Sequence, residues 1–168
     1  MRFCLLLSMT IFFHTIAIAQ TKHALILAID KYEHSEWKSL HSNIDAAVIK
    51  TALTRRGFDI NNITTIQNEK ATHRGITDGL NTFIKKENIK AGDIVVIQIS
   101  SHGLQLEDDN GDEAADGLDE CIVSYDAVYD KDPKNYKKIQ ANYFRDDEFG
   151  VFIQQLKIGR ASVGKECA

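Results

Sequence analysis

The run from Ile94 to Ile99, IVVIQI, is the feature that most limits what this chain can fold into. Five of its six side chains are apolar and β-branched, which is typical of a strand buried on both faces of a parallel sheet. A second run of this kind, ALILAID, begins at Ala24 and predicts another strand of the same sheet. Ligands of open α/β sheets bind beyond the carboxyl ends of the strands. We therefore expect functional residues just after Ile99.

The segments between these two runs predict two helices and a short strand. Apolar side chains recur at helical spacing between Asn43 and Arg56, and Gly57 ends the pattern. This first stripe consists of Ile44, Ala47, Val48, Ala52 and Leu53. Residues 63–66 predict a strand, and Thr72 is a candidate N-cap for the second helix. The second stripe consists of Ile76, Leu80, Phe83 and Ile84. The β-α-β-α-β order predicts an α/β fold with a mostly parallel sheet, right-handed crossovers and helices on both faces.

The turn that follows the buried strand reads SSHG and carries His102. A histidine at the end of such a strand can act as a general acid or base, although a single histidine there is more often a hydrogen-bonded loop residue. The alternation over residues 104–106 predicts an extended arm. Residues 107–120 then form a loop with eight acidic residues and no basic one, which leads into a short apolar strand from Cys121 to Ser124. The spacing of the acidic residues in this loop does not match the EF-hand calcium-binding pattern.

The motifs SSHGLQ, GDEAADGLDECIVSYDA and FRDDEF follow one another in this order. Upstream lie HALILAIDKY and SLHSNIDAAVIKTALTRRGF. This combination resembles the large-subunit, p20-like half of the metacaspases and caspase-like cysteine peptidases, and the resemblance extends from about Lys22 to Leu156. It implies a caspase-like three-layer sandwich and a cysteine-type endopeptidase that cuts peptides or proteins after basic residues.

The resemblance also implies roles for particular residues. His102 would be the general acid and base, and the amide of Gly103 would contribute to the oxyanion hole. Asp45 and Ser100 would line the pocket for the residue before the cut, where a carboxylate favours Arg or Lys. The alternative for Asp45 is that it only caps or solvates the first helix. Ser101 replaces a family glycine at a tight turn, which predicts a costlier backbone conformation there.

A calcium site formed by Asp119, Asp146 and Asp147 is implied in the same way, because hard cations take several oxygen ligands and these carboxylates would otherwise repel one another. The alternative is a solvated acidic loop for Asp119. Asp146, Asp147 and Glu148 would then serve only as the acidic first turn of a last helix that runs through Leu156. The buried face of this helix is predicted to consist of Phe149, Phe152, Ile153 and Leu156.

The nucleophilic cysteine of the family is missing from its expected place. The family continues with a strand that ends in D-x-C-x-x-G, whereas this chain reads KIGRASVGKECA. No apolar strand or properly spaced Asp precedes Cys167, and Cys121 lies inside a strand. We therefore expect a fold that lacks its last strands and an inactive, truncated endopeptidase domain. The alternative is a non-catalytic domain that binds peptide or a protein partner. The unpaired edge of the histidine-bearing strand predicts a dimer or pairing with a missing C-terminal half.

The first nineteen residues differ in kind from the rest. A basic Arg2, an apolar run over residues 3–13 and an Ala-Ile-Ala sequence before Gln20 predict a cleaved signal peptide over residues 1–19. After cleavage the mature chain would be secreted or periplasmic and would not be attached to a membrane, whereas the alternative is an uncleaved anchor. Residues 22–157 would form the p20-like domain and residues 158–168 an irregular tail. The net charge of -4 gives no reason to expect nucleic-acid binding. The basic residues 131–138 most simply form a solvated connection, with self-processing as the alternative.

Overall fold

The computed structural model describes residues 20–87, 89–129, 142–158 and 162–163. The predicted signal peptide, the basic segment 131–138 and Cys167 lie outside these residues. The strands are β1 (Lys22–Ala28), β2 (Ile63–Gln67), β3 (Ile94–Ser100), β4 (Gly103–Glu107), β5 (Leu118–Val123), β6 (Tyr143–Arg145) and β7 (Ser162–Val163). The helices are α1 (Ser42–Arg55), α2 (His73–Glu87) and α3 (Asp146–Ile158).

Strands β2, β1, β3 and β7 form a parallel sheet in that order. The sequence predicts the parallel arrangement of the first three, but not the order of the strands. Strand β1 is the centre of this sheet because it pairs along its length with β3 and over five residues with β2. Strands β4, β5 and β6 form a separate antiparallel sheet. Their pairing was not predicted, although the extended arm and the apolar strand before and after the acidic loop were.

The two faces of the parallel sheet are covered by different helices. On one face Leu25, Leu27 and Ile29 pack with the apolar stripes of α2 and α3. On the other face Ala24 and Ile26 pack against α1. This arrangement of helix, sheet and helices confirms the predicted three-layer α/β fold. Within the described residues, no helix is both long and apolar enough to cross a membrane.

The ends of the first two helices follow the predicted local chemistry. At the end of α1, Gly57 has a φ of 83°, a left-handed conformation that glycine adopts without strain. The amides of Gly57 and Phe58 donate to the carbonyls of Thr54 and Leu53, which completes a Schellman motif. At the start of α2, the Oγ1 of Thr72 accepts from the amide of Gly75 over 3.0 Å, as predicted for an N-cap.

Of the apolar stripe predicted for α1, only Leu53 packs against the core. Ile44 and Val48 are 57% and 61% exposed, whereas Ser42 and Ala46 are buried. Ile49 and Leu53 complete the buried stripe. The sequence of α1 contains two overlapping stripes at helical spacing, so periodicity alone could not select between them. The observed rotation directs Ser42 toward the end of β3, where the functional residues lie.

The edge of the parallel sheet is partly covered. Ser162 and Val163, predicted to belong to an irregular tail, pair with Ile94 and Val95 of β3. Among the described residues, β3 has no strand partner on this side from Val96 onward. The expectation of a free edge on the histidine-bearing strand therefore applies only to its second part, next to the SSHG turn.

Candidate active site at the carboxyl edge of the parallel sheet

The SSHG turn joins the two sheets. The amide of Ile29 donates to the carbonyl of Ser100 over 2.9 Å, and the amide of Val123 donates to the carbonyl of His102 over 2.9 Å. His102 is thus fixed to β1 on one side and to β5 on the other. Ser101 does not have a positive φ, since Asn68 is the one described non-glycine residue that does. The costlier backbone conformation predicted for Ser101 is therefore absent.

The imidazole of His102 is anchored through one ring nitrogen. Its Nε2 lies 2.8 Å from the carbonyl oxygen of Lys38. Because a carbonyl oxygen can only accept a hydrogen bond, Nε2 must carry the proton of this bond. In the neutral ring Nδ1 is then the unprotonated nitrogen. The fold therefore selects Nδ1 as the atom that can take a proton from a reacting group.

Two aromatic rings hold the plane of this imidazole. The ring centroids of Tyr32 and Trp37 lie 5.3 and 5.6 Å from that of His102 and 6.1 Å from each other. The Tyr32 hydroxyl accepts from the backbone amide of His102 over 2.8 Å. Burial and the nearby Asp30 raise the pKa of Tyr32, although this hydrogen bond opposes them. Tyr32 is thus a neutral phenol at physiological pH.

The predicted pocket residues meet at the start of α1. The Ser100 hydroxyl lies 2.8 Å from Oδ2 of Asp45, to which it donates. It also lies 3.0 Å from the hydroxyl of Ser42, which is fully buried. The Asp45 side chain is exposed, so its carboxylate is oriented by the protein and still open to a ligand. The substrate-binding role of Asp45 and Ser100 stays a prediction.

Gly103 comes directly after His102, is the first residue of β4 and is exposed. A Cβ built at this position would lie 3.5 Å from the carbonyl oxygen of Cys121, an ordinary contact. Packing does not demand glycine here. The oxyanion role of the Gly103 amide stays a prediction.

Cys121 is a free thiol buried in β5. Burial, followed by the charges of Asp146, Glu120 and other acids, raises the pKa of this thiol to about 12. The attacking form of a cysteine is the thiolate, which is negligibly populated at neutral pH with such a value. Cys121 is therefore a core residue, as expected for a cysteine inside a strand.

The acidic residues predicted to hold calcium fall into two neighbouring groups. Carboxylate oxygens of Asp109, Asp119 and Asp147 all lie within 4.8 Å of one another. Asp146 belongs to a second group of this kind, with Glu113 and Glu120. The structure thus brings Asp119 and Asp147 together and places Asp146 beside them in a different group.

The sequence reasoning missed Arg145, which changes the charge at this cluster. Its guanidinium is buried, pairs with the fully buried Asp119 through Nη1, and lies 3.3 Å from Asp109 through Nε. The Oδ1 atoms of Asp119 and Asp146 are buried and have no hydrogen-bond partner among the described residues. The Arg145 guanidinium therefore compensates part of the acidic charge. The Oδ1 atoms of Asp119 and Asp146 remain without a hydrogen bond among the described residues.

The pKa values of several carboxyls in the cluster are shifted by their surroundings. Partial burial and the neighbouring Asp112 and Asp146 raise the pKa of Asp147. The same causes raise the pKa of Glu113. The pKa of Asp108 is lowered instead, because its carboxylate accepts hydrogen bonds from backbone amides, first among them that of Gly111. Backbone amides of the loop therefore stabilise the charged form of Asp108. Burial and the neighbouring acids disfavour the charged forms of Asp147 and Glu113.

The missed residues left different signals in the sequence. Tyr32 and Trp37 are the aromatic residues of the loop after β1, which ends at the same edge as β3. Parallel strands bring such loops together, so this proximity was open to inference. The anchor at Lys38 is a backbone carbonyl, which has no side-chain signature. Arg145 precedes the acidic pair of FRDDEF, and only the antiparallel pairing of β5 with β6 places it beside Asp119.

Comparisons with known proteins agree with this architecture. Residues 21–159 match the caspase domain of the C14 peptidase family. The chain is 32% identical over 115 residues to metacaspase-4 of Arabidopsis thaliana, an alignment that covers 66% of this chain and 24% of that protein. A crystal structure of a Geobacter sulfurreducens protein matches 84% of this chain and 46% of its own, with a TM-score of 0.58 and 24% identity, which shows the shared fold. The chain thus spans a quarter of that metacaspase and under half of the solved chain. It belongs to the caspase-domain family.

Proposed function

We propose that this chain is the histidine-bearing part of a metacaspase-type cysteine endopeptidase that recognises a basic residue before the cut. The observation that carries the proposal is the Asp45 carboxylate, held at 2.8 Å from Ser100 just two residues before the anchored His102. A free carboxylate oxygen beside a general acid and base is what a peptidase for Arg or Lys substrates needs. The substrate would be a peptide or an unfolded segment of a protein.

His102 would move one proton in each direction. Nδ1 takes the proton of a cysteine thiol as the sulfur attacks the scissile carbonyl carbon, and the imidazolium then gives that proton to the leaving amine. The Lys38 carbonyl keeps its hydrogen bond to Nε2 throughout and holds the ring in place. Two donors at the carbonyl oxygen, one of them the Gly103 amide, would stabilise the oxyanion.

The thiol for this reaction has to come from outside the described residues. Cys121 is excluded by its buried position and its pKa of about 12. We propose that the 168 residues bind substrate without turning it over, and that a partner chain supplies the cysteine. A domain that only binds peptide is the second candidate, and the same buried Cys121 favours it.

Calcium binding at the acidic cluster is part of the proposal. Oδ1 of the buried Asp119 lacks a hydrogen-bond partner among the described residues, and partial burial together with the neighbouring acids raises the pKa of Asp147. These donors fit a hard cation that takes oxygen ligands. Calcium would order the loop of residues 107–120 and the start of α3. Titration calorimetry with millimolar calcium tests this, and heat no larger than that of an Asp119→Asn, Asp146→Asn double variant would contradict it.

Export from the cytoplasm is proposed from the first nineteen residues alone, whose charge and apolar run suit a secretory signal. N-terminal sequencing of the protein from its native host would find Gln20 first. An N-terminus at Met1 would contradict cleavage.

Substrate specificity is tested by calorimetry with three peptides that differ only in the residue before the cut, Arg, Ala or Asp. The Arg peptide should bind most tightly, because its guanidinium pairs with Asp45. An Asp45→Asn variant should lose about tenfold or more of this affinity, the loss expected for one charged hydrogen bond. Asp78→Asn, an exposed carboxylate on α2, is the matched control and should change nothing. Equal binding of the three peptides would show that the pocket assignment is wrong.

A further inference from the structure

An exposed apolar surface adjoins the candidate catalytic histidine. Val128 and Tyr129 are 36% and 42% exposed, although both are large apolar side chains. The Tyr129 ring meets Trp37 edge-on, with 5.3 Å between the ring centroids. Trp37 in turn contacts the ring of His102. We name Trp37, Val128 and Tyr129 the aromatic patch. Contiguous exposed apolar side chains are more often part of a binding site than single ones.

The aromatic patch is built on fixed supports. The indole Nε1 of Trp37 donates to the carbonyl of Ala127 over 2.9 Å. The Tyr143 ring packs edge-on against Trp37 at 6.4 Å, and its hydroxyl donates to the carbonyl of Val128 over 2.8 Å. One side of Trp37 is thus packed on the antiparallel sheet, while its other contacts lie toward His102 and Tyr129. A rigid aromatic surface binds with little loss of conformational entropy.

The chemistry of His102 indicates which part of a substrate would lie on this patch. The imidazolium gives its proton to the leaving amine. That nitrogen belongs to the residue after the cut, so this residue lies beside the imidazole at the moment of transfer. Trp37 touches the same imidazole at 5.6 Å between centroids. The residues that follow the cut are therefore the part of the peptide nearest to the patch.

We propose that Trp37, Val128 and Tyr129 form a subsite for an aromatic or large aliphatic side chain on the leaving-group side of the scissile bond. This inference rests on the proposed peptidase function and adds a second specificity element to it. Asp45 would select a basic residue before the cut, and the aromatic patch would select an apolar residue after it. The protein would then favour peptides in which a basic residue is followed by Phe, Tyr, Trp or Leu.

Trp37 is the only tryptophan of the chain, so its fluorescence reports directly on the aromatic patch. The probes are Phe-Gly-Gly-amide, Gly-Gly-Gly-amide and Asp-Gly-Gly-amide, which represent the leaving-group side alone. Phe-Gly-Gly-amide should change the Trp37 emission in a saturable way and bind at least about tenfold more tightly than the other two, as burial of one aromatic side chain predicts.

Two variants separate the patch from general apolar attraction. Tyr129→Ala should weaken Phe-Gly-Gly-amide about fivefold or more, and Val128→Ser should weaken it less. Ile60→Ala is the matched control, because Ile60 is also exposed, at 49%, and precedes β2 instead of belonging to the patch. Far-ultraviolet circular dichroism verifies that each variant keeps the fold. Equal affinity for the three amides, or no effect of either patch variant, would overturn the proposal. This includes the case in which the segment after Tyr129 covers the patch.

Peptides that span the cut distinguish failure of this inference from failure of the proposed function. Arg-Phe and Arg-Gly sequences that bind equally well, while Ala-Phe binds weakly, would reject the aromatic subsite and keep the basic-residue pocket. Arg-Phe and Ala-Phe sequences that bind equally well, and better than Arg-Gly, would keep the subsite and reject the pocket. The proposals together predict that Arg-Phe binds most tightly of the four combinations with Arg, Ala, Phe and Gly.

Discussion

Asp45 and Asp119 show two ways in which this domain holds a carboxylate. At the carboxyl edge of the parallel sheet, Asp45 is exposed and its Oδ2 accepts from one hydroxyl. At the antiparallel sheet, Asp119 is fully buried, paired with Arg145 and close to Asp109 and Asp147. The first carboxylate is oriented by a neutral partner and keeps its charge available. The second is surrounded by other acids and depends on cations.

The two carboxylates differ in what compensates their charge. The Ser100 hydroxyl orients the Asp45 carboxylate without cancelling its charge. The acidic cluster holds a buried charge that one arginine compensates, together with carboxyls whose pKa is raised by burial and by their acidic neighbours. The proposed calcium ion would compensate more of this charge. Substitutions at the two sites should separate these behaviours, with the largest effects at the buried ion pair.

The largest expected effect is the loss of Asp119. Asp119→Ala leaves the buried Arg145 guanidinium without its main partner, and such a loss costs about 3–5 kcal/mol of the free energy of unfolding. Asp109→Ala removes the other, exposed partner of Arg145 and should cost about 1 kcal/mol or less. Urea denaturation of both variants measures the contrast. Equal costs would mean that Asp119 and Arg145 do not form a buried pair.

Calcium should stabilise the domain by the next largest amount. Calcium at a hundred times its dissociation constant adds about 2.7 kcal/mol to the free energy of unfolding. A thermal denaturation series with increasing calcium should therefore raise the melting temperature. Asp147→Asn should abolish most of this increase, whereas the exposed Asp78→Asn should keep it. A melting temperature of the unsubstituted protein that does not depend on calcium would contradict a cation site at the acidic cluster.

At the Asp45 site the expected effects are smaller and concern binding. Ser100→Ala removes the hydroxyl that orients Asp45 and should weaken the Arg peptide about fivefold, because the carboxylate that binds the peptide is then less well oriented. Ser101→Ala is the neighbouring control, because its hydroxyl donates only to the carbonyl of His102 in the described structure. Calorimetry decides between them. A Ser101→Ala variant that loses as much affinity would indicate a change in the turn instead of in Asp45.

The smallest expected effect is a dependence of stability on pH in the absence of calcium. The raised pKa values of Asp147 and Glu113 mean that the folded state binds their protons more tightly than the unfolded state. Their contribution to stability therefore falls as the pH rises from the ordinary carboxyl range near 4 through the raised values. Asp147→Asn should become more stable relative to the unsubstituted protein over this window, measured by urea denaturation without calcium. The opposite trend would show that attraction dominates at Asp147.

Much of the parallel layer could be predicted because its signals are local. The strand at residues 94–100 is apolar at five of its seven positions, and the stripe of α2 has a single arrangement that buries Ile76 and Phe83. The face of α1 could not be predicted, since two stripes competed and the sheet selected the one with Ser42 and Ala46. Such a choice depends on a partner surface that periodicity does not describe.

Some residues of the candidate site could likewise be predicted from the sequence, and others could not. His102, Asp45 and Ser100 could be identified from motifs, and the structure brings all three to one edge of the sheet. The supports of His102 could not be identified, because a backbone carbonyl leaves no mark in the sequence and the aromatic contacts depend on the path of a loop. The pairing of Arg145 with Asp119 depends on a strand of only three residues, too short to show a period.

Hydrolysis of an Arg reporter peptide, followed at steady state with and without calcium, tests the central claim most directly. The chain should bind the peptide and release no product, because the one cysteine among the described residues is Cys121, whose buried thiol has a pKa of about 12. Steady turnover that disappears in both His102→Ala and Cys167→Ala would contradict this account and make the tail cysteine the nucleophile. Turnover lost in Cys121→Ala would contradict it as well and assign the reaction to the buried cysteine.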